Sequence, residues 1–231
     1  MTARRAACAL AVFGVLCAAT LAAAAARAPA SAPAASSTIT LDTALDATRA
    51  SSQESNFGDL LADAVRAAAP GADCAIAPAA ELQPVQIPAG KVAPERLTGA
   101  LRSGSDPSDT VVTLKLTGAQ LRSALIHGLS RVPGPFDGFL QVSGLTVQFD
   151  PGASGDARLG RASIAGAAIS PGAVYTVAMP SYLASGALGY FAIWSKVTPT
   201  DTHVTLADAL TRYAQAHQPV SVQIDGRIKS T

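Results

Sequence analysis

Cysteine is nearly absent from this chain. Three occur in 231 residues, and two of them, Cys8 and Cys17, fall in an apolar leader. Beyond the leader Cys74 stands alone, so no internal disulfide can form and the core itself must supply stability. Cys74 sits in Ala-Asp-Cys-Ala-Ile-Ala, where it reads as a small buried hydrophobe rather than a catalytic thiol. Histidine is as scarce: His127, His203 and His217 are widely spaced. No Gly-x-Ser-x-Gly occurs, and no histidine has an evident partner, which argues against a serine hydrolase. Asp201-Thr-His203 offers two groups of metal-ligand type, but a two-metal centre needs several more; it reads as a loop pair. Charged residues make up 14% of the chain and the net charge is +1, which leaves no basic face for nucleic acid and no acidic tail. Aromatics are only 5%, so the core layers should be thin, close-set and alanine-rich.

What is present begins with targeting chemistry. Arg4 and Arg5 precede the small, apolar run Ala6 to Ala26, and Ala26-Arg27-Ala28 fits a small-x-small cleavage site. The expected organisation is a signal peptide over 1–28, a flexible Pro/Ala/Ser-rich leader over 29–40, and one domain over 41–231. This implies a secreted or periplasmic protein, free of the membrane after cleavage. A retained anchor is the alternative, since the apolar run is just long enough to span a bilayer.

Periodicity places helices and strands in alternation. Phe57, Leu60, Leu61, Ala64, Val65 and Ala68 form one stripe of a helix over Ser55 to Ala69, capped by Ser55 or Asn56 and ended by Pro70-Gly71. Thr117, with Gln120 three residues on, opens a second helix as a capping box. Its buried face is Leu121, Ala124, Leu125 and Leu129. His127 near its end reads as a dipole complement or partial core. Pro94 to Leu101 and a segment starting at Thr205 read as further helices. Strands are expected at Asp73 to Ala77, Thr110 to Leu116, Phe139 to Asp150 (broken at Gly144), Arg161 to Ile169, Val174 to Met179 and Val220 to Ile224.

Four stretches carry a resemblance. Glu54-Ser-Asn-Phe-Gly-Asp-Leu-Leu-Ala-Asp-Ala-Val-Arg66, Gly138-Phe-Leu-Gln-Val-Ser-Gly144, Pro180-Ser-Tyr-Leu-Ala-Ser-Gly-Ala-Leu-Gly-Tyr190 and Asp225-Gly-Arg-Ile228 resemble, in order, signatures of the C-terminal domain of secreted 5'-nucleotidases, the family that includes UDP-sugar hydrolases. The resemblance implies an α+β fold: a single domain in a layered α/β/β/α arrangement, mixed sheets flanked by helices. It implies an association with nucleotide catabolism, and two aromatics clamping a base at the positions of Phe139 and Tyr182. Pattern alone favours the core for both rings.

Other family features depart. The phosphate-side loop Asn-Gly-Gly-Gly-Ile-Arg of the nucleotidases is Pro78-Ala-Ala-Glu-Leu-Gln83 here, so Gln83 replaces the phosphate-holding arginine and Glu81 brings a negative charge. The nucleoside-bonding Asp of Gly-Gly-Asp-Gly is Leu188. Arg102 is a candidate replacement cation, with a solvated surface arginine as its other reading. Family members cleave phosphoesters in a separate N-terminal metal domain, and nothing before Leu41 resembles one. The expected function is a ligand-binding module for a nucleoside or another flat molecule, with no cofactor, serving a separate metallophosphatase protein. Alternatives are a degenerate protein–protein contact domain and hydrolysis by the chain itself.

Overall fold

The computed structural model describes residues 38–102 and 108–231. The expected signal peptide over 1–28 and most of the expected leader lie outside the described residues. The order of elements is β1 (Ile39–Leu41), β2 (Leu45–Asp46), α1 (Asn56–Ala67), β3 (Cys74–Pro78), β4 (Gln86–Ile87), β5 (Gly90–Val92), α2 (Pro94–Thr98), β6 (Thr110–Thr117), α3 (Gly118–Gly128), β7 (Leu140–Ser143), β8 (Leu145–Phe149), β9 (Leu159–Ile164), β10 (Ala167–Ala168), β11 (Val174–Pro180), α4 (Ser181–Ala184), α5 (Phe191–Trp194), β12 (Thr200–Thr205), α6 (Leu206–Ala216) and β13 (Ile228–Ser230). The described fold includes Ile39, which is fully buried in β1.

Two larger sheets organise the chain. A five-stranded sheet runs β12-β6-β11-β3-β7, with β3 and β11 parallel and the other neighbours antiparallel. A four-stranded sheet runs β10-β9-β8-β13. The period-2 alternation of β3 divides the core. Cys74 and Ile76 point to one side, where they join α3 residues Leu121, Ala124 and Leu125 and the inner face of the second sheet through Val147 and Ala162. Ala75 and Ala77 point to the other, where α1 and α6 pack through Leu60, Leu61, Leu206 and Leu210. Small residues there let the helices sit close to the sheet. This is the α+β arrangement expected, mixed sheets flanked by helices.

The caps set the helices. The Ser55 hydroxyl accepts from Gly58 N at 3.0 Å, while Asn56 instead ties Asp46 N and the Ala44 carbonyl. Thr117 and Gln120 close the expected capping box on α3.

Two strand expectations and one loop expectation change. The run Arg161 to Ile169 is a hairpin, β9 and β10 turning through Ala165 and Gly166, both at positive φ. Val220 to Ile224 forms no ladder: Val220 makes one isolated bridge to Leu41, Ile224 is 57% exposed, and the last strand is β13. Asp201 and His203 lie in β12, which pairs with β6. Cys74 is fully buried, and burial pushes its thiol up to about 12, as expected of an inert core residue.

Candidate functional site

A cavity of about 540 Å³ opens where the C-terminal ends of β3 and β11 meet the N-terminal end of β6. Ala80, Glu81, Arg102, Ser108, Asp109, Asp137, Ser181, Tyr182, Ser185 and Leu188 line it. Three chain segments are fixed around it by backbone bonds. Ala79 N and Ala80 N donate to the Phe139 and Asp137 carbonyls, both at 2.8 Å, and Arg102 N donates to the Glu81 carbonyl at 2.7 Å.

The floor is acidic. Glu81 and Asp109 are 3% and 7% exposed, and both line the cavity. Glu81 Oε1 and Asp109 Oδ2 are buried with no hydrogen-bond partner. Burial pushes Glu81 up to about 8, with the neighbouring Asp109 adding to the effect and Arg102 opposing it. The other Asp109 oxygen accepts from the Ser181 hydroxyl at 3.1 Å, and that hydroxyl in turn accepts from Thr110 N at 3.2 Å.

The rim is mixed. Arg102 Nη1 lies 3.5 Å from Asp137 Oδ2, with both side chains about half exposed (50% and 53%), so the pair contributes about 0–1 kcal/mol. Tyr182 is 47% exposed and lines the wall with Leu188. Leu188 has φ 59°, a left-handed conformation uncommon for leucine, and its carbonyl meets His127 Nε2 at 2.8 Å. His127 also stands edge-on to Tyr190, with centroids 4.5 Å apart, so it braces the segment behind the cavity wall.

Of the five residues the sequence nominated, Tyr182, Leu188 and Arg102 come together here. Phe139 does not. It is 1% exposed and packed in the core, so its ring is not available to face Tyr182 across a ligand. The two rings the sequence paired are thus apart, Tyr182 at the cavity and Phe139 in the core. Gln83 also stays away: its amide donates to the Gly99 and Leu101 carbonyls at 3.1 and 3.3 Å, closing the loop after α2. Asp109, Asp137, Ser181 and Ser185 were missed. The signal available was adjacency, since Asp137 precedes Gly138-Phe139 and the two serines flank Tyr182.

The chain matches the model of the 5'-nucleotidase C-terminal domain over residues 32–195. It belongs to the 5'-nucleotidase C-terminal domain family. Solved structures share the fold. A 5'-nucleotidase precursor from Thermus thermophilus superposes with TM-score 0.75 at 23% identity, covering 83% of this chain and 39% of that one. NAD nucleotidase from Haemophilus influenzae gives 0.71 at 17%, covering 84% and 37%. Sulfate thiohydrolase SoxB from Thermus thermophilus, in complex with glycerol, gives 0.62 at 20%, covering 83% and 34%. The chain thus spans well under half the length of each of these proteins. No curated protein matches it.

Among the described residues, the one trio of acidic or imidazole groups close enough to share a metal ion is Glu54, Asp59 and Asp225. It surrounds Arg227, which already holds Asp63 through two bonds of 2.7 and 3.0 Å. Asp201 and His203 do not belong to it; they pair at 3.6 Å on the surface. Among the described residues no helix is long and apolar enough to cross a membrane.

Proposed function

We propose that this chain is an exported ligand-binding domain of nucleotidase type, which holds a nucleoside or similar flat molecule weakly and leaves phosphoester chemistry to a separate metallophosphatase protein. The observation that carries the reading is the cavity itself, with Tyr182 and Leu188 offering an apolar wall and Ser181 and Ser185 on the same short segment. One base–aromatic stack contributes roughly 1–3 kcal/mol, whereas millimolar binding needs about 4 kcal/mol. Tyr182 alone falls short of that, so hydrogen bonds from the polar lining must supply the remainder. A phosphate fits poorly, because Glu81 and Asp109 occupy the floor and the Arg102 guanidinium already faces Asp137.

The experiment is calorimetric titration of the purified chain with adenosine and with AMP. Adenosine should bind in the millimolar range, AMP more weakly, and Tyr182→Ala should abolish the adenosine signal. Absence of adenosine binding, or an unchanged signal in the variant, overturns the reading. The second reading, a domain retained for protein–protein contact, is favoured by the burial of Phe139, which leaves the cavity one ring fewer.

A further inference from the structure

The carboxyl pair on the cavity floor is only partly engaged by the fold, through the bond from Ser181 to one Asp109 oxygen. Neither side chain forms an ion pair with Arg102, which turns to Asp137. Glu81 Oε1 and Asp109 Oδ2 belong to residues lining the cavity and are buried with no hydrogen-bond partner. Buried polar atoms normally have partners, and two carboxyl oxygens left without one invite a ligand that donates. Among the described residues, the lining carries three carboxyls, Glu81, Asp109 and Asp137, against the single guanidinium of Arg102. A cleft of one sign focuses the field and concentrates the opposite charge.

We propose that the cavity selects a planar organic cation, an amidinium or guanidinium attached to a flat apolar group, whose N–H donors bond the unpartnered oxygens of Glu81 and Asp109 while the flat part lies against Tyr182 and Leu188. This deepens the proposed function by naming the charge of the ligand, and it rests on the same cavity being a ligand site. Geometry favours an organic cation over a bare metal ion. The volume of about 540 Å³ far exceeds an ion, much of the wall is apolar, and among the described residues these carboxyls do not belong to the one trio able to share a metal. A planar fork of donors matches carboxylate oxygens as a bidentate pair, which a spherical ion or a neutral amide does not.

Uptake of the cation favours the ionised form of Glu81 and so expels its proton. Affinity therefore rises with pH until the floor is already ionised, and Glu81, held up to about 8, sets where the rise ends. The other titratable or charged groups facing Glu81 are Asp109 before β6, Arg102 after α2, and Asp137 before β7, with the Tyr182 phenol on α4.

The probe is benzamidine, with benzamide as its neutral isostere and benzoate as its anionic counterpart, titrated into the purified chain by calorimetry. Benzamidine should bind at least about tenfold more tightly than benzamide, and benzoate should not bind. Its affinity should rise by up to about tenfold per pH unit between about pH 6 and pH 8, then level off. Glu81→Gln should remove that pH dependence and weaken binding. Asp109→Asn is the second variant, and thermal unfolding of both reports whether the fold survives. Equal affinity for benzamidine and benzamide, a flat pH profile, or unchanged binding in both folded variants overturns the proposal. So does saturation by Mn²⁺ alone with no response to benzamidine. If adenosine binds through Tyr182 while benzamidine does not, the charge preference falls and the ligand-binding reading stands; if neither binds, both fall.

Discussion

The Tyr190 hydroxyl donates to the Gly138 carbonyl oxygen at 2.7 Å across 52 residues of sequence. This one bond joins two of the four segments that carry the family signatures. It is shielded from solvent: Tyr190 is fully buried, its ring stacks on Trp194 at 4.9 Å, and burial pushes its phenol well above the ordinary value. The bond fixes the turn that delivers Asp137 to the cavity rim on one side and the Leu188 segment on the other.

Tyr190→Phe keeps the stacking and deletes the donor, leaving the carbonyl to find another. Stability should fall by about 1–3 kcal/mol, the cost of a buried acceptor left unpaired. Urea denaturation measures it. A change within experimental error would mean that water or another donor already satisfies Gly138.

Phe139 and Tyr182 should separate cleanly in mutagenesis. Phe139→Ala empties a core site and should cost about 3–5 kcal/mol of stability. Tyr182→Ala removes a ring that is 47% exposed, and surface substitutions of that kind usually stay within about 0.5 kcal/mol. Ligand binding should show the reverse order, lost in Tyr182→Ala and retained in whatever fraction of Phe139→Ala stays folded. Denaturation curves paired with adenosine titrations check both halves.

This contrast also marks how far the sequence could be read. The α1 and α3 helices were visible because caps and apolar stripes are local features, and Ser55, Thr117 and Gln120 act as their types suggest. The pairing of β12 with β6 was invisible. Thr-Asp-Thr-His-Val-Thr has little apolar alternation, because an edge strand half in solvent does not need it. Val220 to Ile224 misled in the opposite way: it alternates, yet no neighbouring strand is placed to receive it beyond the one bridge at Val220. At the site, residue type suggested a role for Phe139 that only its direction could decide. The Glu81–Asp109 contact joins residues 28 apart in sequence, and no spacing rule for a helix or strand connects them.

Gly58 faces the side chain of Gln141. A Cβ built there would overlap the Gln141 Cγ, Cδ and Oε1 atoms. The amide of Gln141 is fully buried and fully used: it donates to the Ala50 and Gln53 carbonyls at 2.8 and 2.9 Å and accepts from Ser55 N at 3.1 Å. Gly58→Ala should therefore cost about 1–3 kcal/mol through overpacking. The double variant Gly58→Ala, Gln141→Ala should lose less than the sum of the two singles, since the clash disappears with the side chain. Strict additivity in a double-mutant cycle would show that the helix shifts to admit the methyl group.

Asp59 and Glu81 together give stability an unusual dependence on pH. Asp59 is fully buried on α1 with Arg227 Nε 3.8 Å away, and neither of its oxygens has a hydrogen-bond donor. Burial pushes it from the ordinary carboxylate value to about 8, against the pull of Arg227; Glu81 is held up to about 8 chiefly by burial as well. A group raised on folding binds its proton more tightly in the native chain. Its contribution is complete below the unfolded value near pH 4 and is lost as pH climbs through about 8. Each proton so held should cost up to about 1.4 kcal/mol per pH unit across that window. The chain should thus denature at lower urea at about pH 8 than at about pH 6, opposite to a protein whose carboxylates are lowered by ion pairs. Asp59→Asn and Glu81→Gln should each flatten part of the slope, because an amide has no proton to lose. A profile that rises over this interval in the parent chain would mean both groups are ionised when folded, with Arg227 and Arg102 stabilising the charges that burial disfavours.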